Sequence, residues 1–298
     1  MDFSYSHAPT DQRGFVDLHL HSVYSDGLLT PKQIIEEAQR RGIKAVSITD
    51  HDAVAGVEEA LTSGSLLGVE VIPGIEISVL HQGVEIHLLG YYIDCTSAAI
   101  AGYIELLAES RRERAQKIVQ ALEKEGINIA YEMVLQKANG APIGRPHIAQ
   151  VMVEEGYVFS VYEALQKYLG ENRSGDIPKF SLSLRHAVEI IKDAGGLVFW
   201  AHPATTPSPE ELLPLLLACG LDGIEVIHPK HTPEKQAQFA DWAKRFRLLQ
   251  SGGSDCHGGR EGNLMLGMMK VPESLFAQIK EKAFSIGRMQ PPPRQPAG

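Results

Sequence analysis

The chain has 298 residues, 44% of them hydrophobic and 22% charged, with a formal net charge of -9. That is material for one large α/β domain or a domain with an insertion, and the acidic balance excludes a surface built to neutralise duplex nucleic acid. Cys95, Cys219 and Cys256 lack the spacing of a zinc knuckle or redox motif and read as thiols in a reducing compartment.

The opening "MDFSYSHAPTDQRG" has no apolar stretch of a signal peptide, and no apolar run approaches the ~18 residues of a membrane span. A cytoplasmic protein with no membrane partner is expected. The first strand is predicted over 15–20, "FVDLHL", followed by a helix with complete start signals. Thr30 is its N-cap, Pro31 its first residue and Gln33 the second half of a capping box, with Gly42 at the exit. Strands follow over 44–49, 69–73 and 85–91.

From 101 to 175 the rhythm breaks. "YIELLAESRRERAQKIVQALEKEG" is helical in period, and "YEMVLQKANG", "RPHIAQVMVEEG" and "SVYEALQKYLGENRSG" read as shorter helices. This segment is expected to be an all-helical insertion or cap. Strands resume over 197–200, 223–227 and 247–250, between helices opening at Ser183, Ser208-Pro209 and Thr232-Pro233.

Most of these strands are nearly continuous apolar runs, as parallel strands buried on both faces require. About seven βα units result, which predicts an α/β fold, a distorted (β/α)7 TIM-like barrel built discontinuously from 13–100 and 176–288. The proline-rich end, 289–298, is expected to be a disordered tail.

Polar residues collect where these strands end. His19 and His21 close the first, with Asp26 in the loop beyond; "AVSIT" runs into Asp50, His51 and Asp52; Glu76 follows "VEVIPG". His87 lies in "EIHLLGYYI", His202 ends "LVFWAHP", His228 and His231 end "GIEVIHPKH", and Asp255 and His257 end "LLQSGGSDCH". In a (β/α) barrel those ends meet on one face. One strand-end histidine is ordinarily an orienting or core residue, but the coincidence at six strand ends points to a metal centre. Imidazole and carboxylate donors suit Zn, Mn or Fe.

The ordered set "DLHLHSVYSDG", "ITDHD", "GIEIS", "EIHLLGY", "WAHP" and "GSDCHG" resembles the polymerase and histidinol phosphatase (PHP) family of metal-dependent phosphoesterases. The resemblance implies two or three divalent ions, with Mn foremost. His19, His21, Glu76 and Asp255 would hold one ion. Glu76 would bridge to a second, held also by His87 and His202. Asp26, His51 and His257 would hold the third, and Asp50 would orient an imidazole from behind. Three divalent ions against three carboxylates leave about +3, which suits a phosphate dianion and one hydroxide.

The expected chemistry is therefore in-line attack on a phosphoester by metal-bound hydroxide. His228 is the candidate acid for the leaving oxygen and Asp52 the second candidate. With "GRPHIA" and "GIEVIHPKH", the set most resembles the subgroup related to RNase AM and the nucleoside 3′,5′-bisphosphate phosphatases. The resemblance implies removal of the 3′-phosphate of a nucleotide such as adenosine 3′,5′-bisphosphate. The alternative is 5′→3′ exoribonuclease action on short 5′-phosphorylated RNA. Arg145, at a helix start, would fork onto the second phosphate, with His147, Lys179, Lys230 and Arg260 as further substrate contacts. Duplex DNA is not an expected partner. Histidinol phosphatase and a scaffold without catalysis are the remaining alternatives. The Arg145-bearing insertion disfavours the first, and the complete ligand set disfavours the second.

Overall fold

The structure is a computed structural model describing residues 14–139, 143–259, 262 and 264–287. The chain divides into two compact units, one formed by the chain up to Ile100 and from Leu182 onward, the other by Ala101–Ser181. The proline-rich end and Arg260 lie outside the described residues.

The first unit is one eight-stranded sheet with helices between its strands. In chain order these are β1 (Phe15–Leu20), α1 (Pro31–Arg40), β2 (Ile43–Ile48), α2 (Val57–Leu67), β3 (Glu70–His81) and β4 (Val84–Tyr91). The chain enters the second unit through α3 (Ala98–Glu123), which is followed there by α4 (Tyr131–Ala138), α5 (Arg145–Glu154), α6 (Val161–Ala164) and a π-helical turn, Leu165–Leu169. The first unit resumes with α7 (Leu184–Asp193), β5 (Leu197–Trp200), α8 (Pro209–Cys219), β6 (Gly223–Ile227), α9 (Pro233–Phe246), β7 (Leu249–Gly252), β8 (Val271–Pro272) and α10 (Glu273–Ser285).

The strand order is β7-β6-β5-β4-β3-β2-β1-β8. The segment after β7 bonds back to β1: the Asp255 N–H donates to the His19 carbonyl at 3.0 Å and the His21 N–H to the Cys256 carbonyl at 3.1 Å. These bonds nearly close the sheet into a barrel. Two strands depart from a pure βα alternation. β4 pairs antiparallel with both β3 and β5, and the short β8, which the sequence pattern did not signal, pairs antiparallel with β1. The β3–β4 pair is a hairpin turning at Gln82 and Gly83, both with positive φ. This makes β3 longer than its apolar run predicts, so Glu76 lies within the strand rather than after it.

The helix signals act mostly as the sequence suggests. Thr30 and Gln33 form the capping box of α1, and Ser183 and Thr232 accept backbone N–H bonds at the starts of α7 and α9. Ser208 is the exception: its backbone is left-handed at φ 47° and its side chain makes no capping bond. α1 buries Ile34, Ile35 and Ala38, and α7 buries Ala187, Val188 and Ile191, each at the spacing of one helical face. Val16, Leu18, Leu89 and Phe199 pack in one cluster with Phe276 and Ile279 of α10, each such burial contributing about 1.5–3 kcal/mol. Leu20, Val46 and Ile48 pack against Ile34 and Ile35. The second unit has its own core, built on Ile118, Leu122, Val134, Ile148, Met152 and Leu169. Among the described residues no helix is long and apolar enough to cross a membrane.

Candidate metal centre

Alternation along β1 puts His19 and His21 on one face, and both are fully buried. Glu76 stands opposite them on β3 and is also fully buried. Its Oε2 lies 3.2 Å from His19 Nε2, 3.2 Å from His21 Nε2 and 3.3 Å from His51 Nδ1. Its Oε1 faces the other way, 3.0 Å from His87 Nδ1 and 3.0 Å from His202 Nε2. One carboxylate thus stands between two sets of imidazoles.

Backbone pairing explains the convergence. His51 is bridged to Glu76, with the Asp52 N–H donating to the Glu76 carbonyl at 2.8 Å. His87 sits across the hairpin from Ser78, two residues from Glu76, so the antiparallel turn brings a mid-strand residue to the place where other strands end. The Ala201 N–H donates to the His87 carbonyl, setting His202 beside it with φ 28°. Asp255, also left-handed at φ 52°, places Oδ1 3.1 Å from His21 Nε2 and 3.5 Å from His19 Nε2. Gly253 makes that approach possible, because a Cβ there would lie 2.3 Å from His19 Cβ and 2.6 Å from its backbone nitrogen.

Asp26, His51 and His257 gather around the far side of His21. Asp26 Oδ1 is 3.3 Å from His257 Nε2 and 3.8 Å from His21 Nδ1, and the centroid of the His21 ring lies 4.2 Å from that of His257 and 4.5 Å from that of His51. All nine donor residues expected from the sequence therefore belong to one continuous cluster in the first unit.

The fit to divalent ions can be judged from the donors themselves. Ligand distances of about 2.0–2.2 Å around one ion imply donor–donor edges of about 2.8–3.6 Å. The carboxylate–imidazole distances around Glu76, 3.0–3.3 Å, fall in that range. Both nitrogens of His21, both of His87 and Nδ1 of His51 are buried with no hydrogen-bond partner. Orphaned imidazole nitrogens facing carboxylates are what a site for cations requires.

The electrostatics agree. Burial works against protonating His19, but Glu76, Glu225 and Asp255 outweigh it and hold its pKa well above the ordinary value. Against burial, the nearby carboxylates of Asp255 and Glu76 raise His21 to about 9, and those of Glu76 and Glu85 raise His87 to about 10. Burial also opposes ionisation of Asp26 and Asp255. His257 nevertheless holds Asp26 at about 2, and His19, His21 and His228 hold Asp255 far below the carboxylate range. The upward histidine shifts share one cause, a concentration of carboxylates that favours positive charge at the centre.

The remaining predicted residues fall out differently. His228 joins the cluster: it is fully buried, its Nε2 lies 3.3 Å from Asp255 Oδ2, and its Nδ1 accepts the Lys230 N–H at 3.1 Å. Asp52 turns a carboxylate oxygen to the Ser78 N–H at 3.1 Å, bracing β3. Asp50 does not orient an imidazole. Its oxygens accept from the Ser22 N–H, the Ser22 hydroxyl and the Ser25 hydroxyl, so it braces the turn that carries Asp26. Lys230 is exposed.

Arg145, His147 and Lys179 belong to the second unit. An Arg145 N–H donates to the Leu169 carbonyl at 2.8 Å, His147 Nδ1 accepts the Gly144 N–H at 3.1 Å, and Lys179 is exposed. One buried residue of the site escaped the sequence reading. Glu225, in the middle of β6, places Oε1 3.1 Å from His19 Nδ1 and accepts the His202 N–H on Oε2 at 2.7 Å. Its signal was a lone carboxylate inside the apolar run "GIEVI".

The PHP domain model matches residues 17–175. A 5′-3′ exoribonuclease of Haemophilus influenzae is 34% identical over 245 residues, covering 81% of this chain and 89% of that protein. A 3′,5′-nucleoside bisphosphate phosphatase of Chromobacterium violaceum is 34% identical over 257 residues, covering 85% and 90%. A phosphoribosyl 1,2-cyclic phosphate 1,2-diphosphodiesterase of Eggerthella lenta is 35% identical over 246 residues, covering 81% and 94%. Among solved structures, a protein of Bifidobacterium adolescentis assigned as a metal-dependent phosphoesterase superposes with a TM-score of 0.69 at 31% identity, covering 90% of this chain and 96% of that one.

Proposed function

The chain belongs to the PHP family of phosphoester hydrolases, and from that premise we propose that it removes the 3′-phosphate of nucleoside 3′,5′-bisphosphates, releasing a nucleoside 5′-monophosphate and phosphate. The observation that carries this reading is the Glu76 carboxylate, divided between His19, His21 and His51 on one oxygen and His87 and His202 on the other. Such a donor set suits two or three divalent ions, Mn foremost. Bound there, they supply a water of lowered pKa and positive charge for the phosphoryl oxygens.

The protein's own residues supply the rest. Asp255 and Glu76 set the charge and spacing of the centre, and Asp26, His51 and His257 extend it. His228 is the proposed proton donor to the leaving oxygen. Its Nδ1 accepts a backbone N–H, so the proton of the neutral ring resides on Nε2, facing Asp255. Asp52 is the second candidate. Arg145 is proposed to bind the 5′-phosphate with a bidentate guanidinium fork, assisted by His147, Lys179, Lys230 and Arg260. The net charge of -9 favours a small nucleotide over a long strand drawn through a basic groove.

Cleavage of short 5′-phosphorylated RNA is the second reading, favoured by a relative of equal identity named a 5′-3′ exoribonuclease. The test is a metal-reconstituted assay on adenosine 3′,5′-bisphosphate, a 5′-phosphorylated dinucleotide, long RNA, a ribose cyclic phosphodiester and histidinol phosphate. Fastest turnover of the bisphosphate is expected. Turnover of the dinucleotide without the bisphosphate would establish the second reading, and turnover of histidinol phosphate or the cyclic diester alone would overturn both.

A further inference from the structure

Glu225 is a fully buried carboxylate on a parallel strand, and both its oxygens are directed at the centre. Oε1 meets Nδ1 of His19, the nitrogen opposite the one facing Glu76 and Asp255. Oε2 accepts the backbone N–H of His202, whose φ of 28° is a conformation that L residues adopt uncommonly. The His202 ring then delivers Nε2 to Glu76 Oε1, while His19 delivers Nε2 to Glu76 Oε2.

We propose that Glu225 is a positioning residue that fixes one histidine on each side of the Glu76 carboxylate, and so would govern the two proposed ion sites together. The proposal rests on the metal reading of the centre. An ionised carboxylate only accepts hydrogen bonds, so Glu225 keeps the His19 proton on Nδ1 and leaves the Nε2 lone pair turned inward. His19, Glu225 and His228 could themselves form a donor trio. The Glu225 oxygens, however, already accept two N–H groups, and His228 is directed at Asp255.

Glu225→Gln preserves size and removes one acceptor. The backbone N–H of His202 cannot change its polarity, so the amide oxygen stays with it and the amide N–H₂ turns to His19. That forces the His19 proton onto Nε2, the nitrogen needed inside. Manganese titration of the metal-free protein, followed by calorimetry, should show affinity falling about 10–100-fold at the two Glu76-linked sites. The ion assigned to Asp26, His51 and His257 should bind as in the wild type, with His257→Ala marking which transition that is. Glu225→Asp keeps the charge and shortens the reach, and should weaken the same two sites by less.

A folded Glu225→Gln with wild-type affinity at every site, or with equal loss at all of them, overturns the role. If Glu225→Gln does not fold, Glu225→Asp decides: loss confined to the paired sites supports the role, and no loss overturns it. A wild-type protein that takes up no divalent ion overturns the metal reading itself.

Discussion

Asp50 and Ser22 are joined twice, the Ser22 N–H reaching Asp50 Oδ1 at 2.6 Å and the Ser22 hydroxyl reaching Oδ2 at 2.6 Å. Ser25 adds a third bond to Oδ1 at 2.5 Å. The end of the second strand thereby clamps the turn that follows the first, and Asp26 rides on that turn. Asp50→Ala leaves the buried Ser22 N–H without its acceptor, which should cost about 1–3 kcal/mol in denaturant unfolding. It should also weaken by roughly tenfold the ion assigned to Asp26, His51 and His257. Metal titration showing unchanged affinity would separate the clamp from the site.

Gly253 is a second structural dependency. A methyl group there would overlap His19 at 2.3–2.6 Å, and the contacts include backbone that cannot step aside. Gly253→Ala should destabilise the fold by about 1–3 kcal/mol through overpacking, and should lower metal uptake because the displaced strand carries His19. Normal uptake by a destabilised variant would mean that the barrel seam relaxes without moving the ligand.

His228→Asn tests proton donation. Esters with poor leaving groups should slow by about 10²–10⁴-fold, whereas p-nitrophenyl phosphate, whose leaving group needs no proton, should change little. Equal losses on both would remove His228 as the acid and leave it an orienting partner of Asp255.

Arg145→Ala should raise KM for a nucleoside 3′,5′-bisphosphate about tenfold or more, the scale of one lost charge-assisted hydrogen bond, while sparing an aryl phosphate. Because Arg145 also bonds the Leu169 carbonyl, thermal unfolding should be measured alongside. A lower Tm with KM unchanged would assign it to folding alone.

The pH dependence of the metal-free protein follows from His21, raised from 6.5 to about 9, and His87, raised from 6.5 to about 10. Groups raised on folding stabilise fully below their unfolded value, and that contribution disappears as pH climbs through the folded one. Tm of the chelator-treated protein should therefore decline between about pH 6.5 and 10. Metal must displace the same protons, so affinity should rise over this window and binding should release protons into the buffer. A flat Tm with no proton release would contradict the charge state of the centre.

The clustering of these nine side chains is legible because strand period and strand ends are local properties. "HLH" puts His19 and His21 on one face wherever β1 packs, and the βα rhythm brings the other strand ends to it. The antiparallel β4 was not legible as such, since "EIHLLGY" has the same apolar character in either direction and only its pairing reveals the hairpin. Glu225 was hidden for a related reason. A single carboxylate in a buried strand has meaning only through what lies across the barrel, and His19 is 206 residues away in sequence. Asp50, next to His51 in sequence, suggests an imidazole partner, whereas in the fold its oxygens meet Ser22 and Ser25.

The divided Glu76 carboxylate has a consequence for how the centre fills. Under the proposed metal reading, cations on either side would draw on the same buried carboxylate, so filling one side would change the charge that the other side meets. Metal titration should then show unequal affinities on the two sides rather than two equal and independent ones.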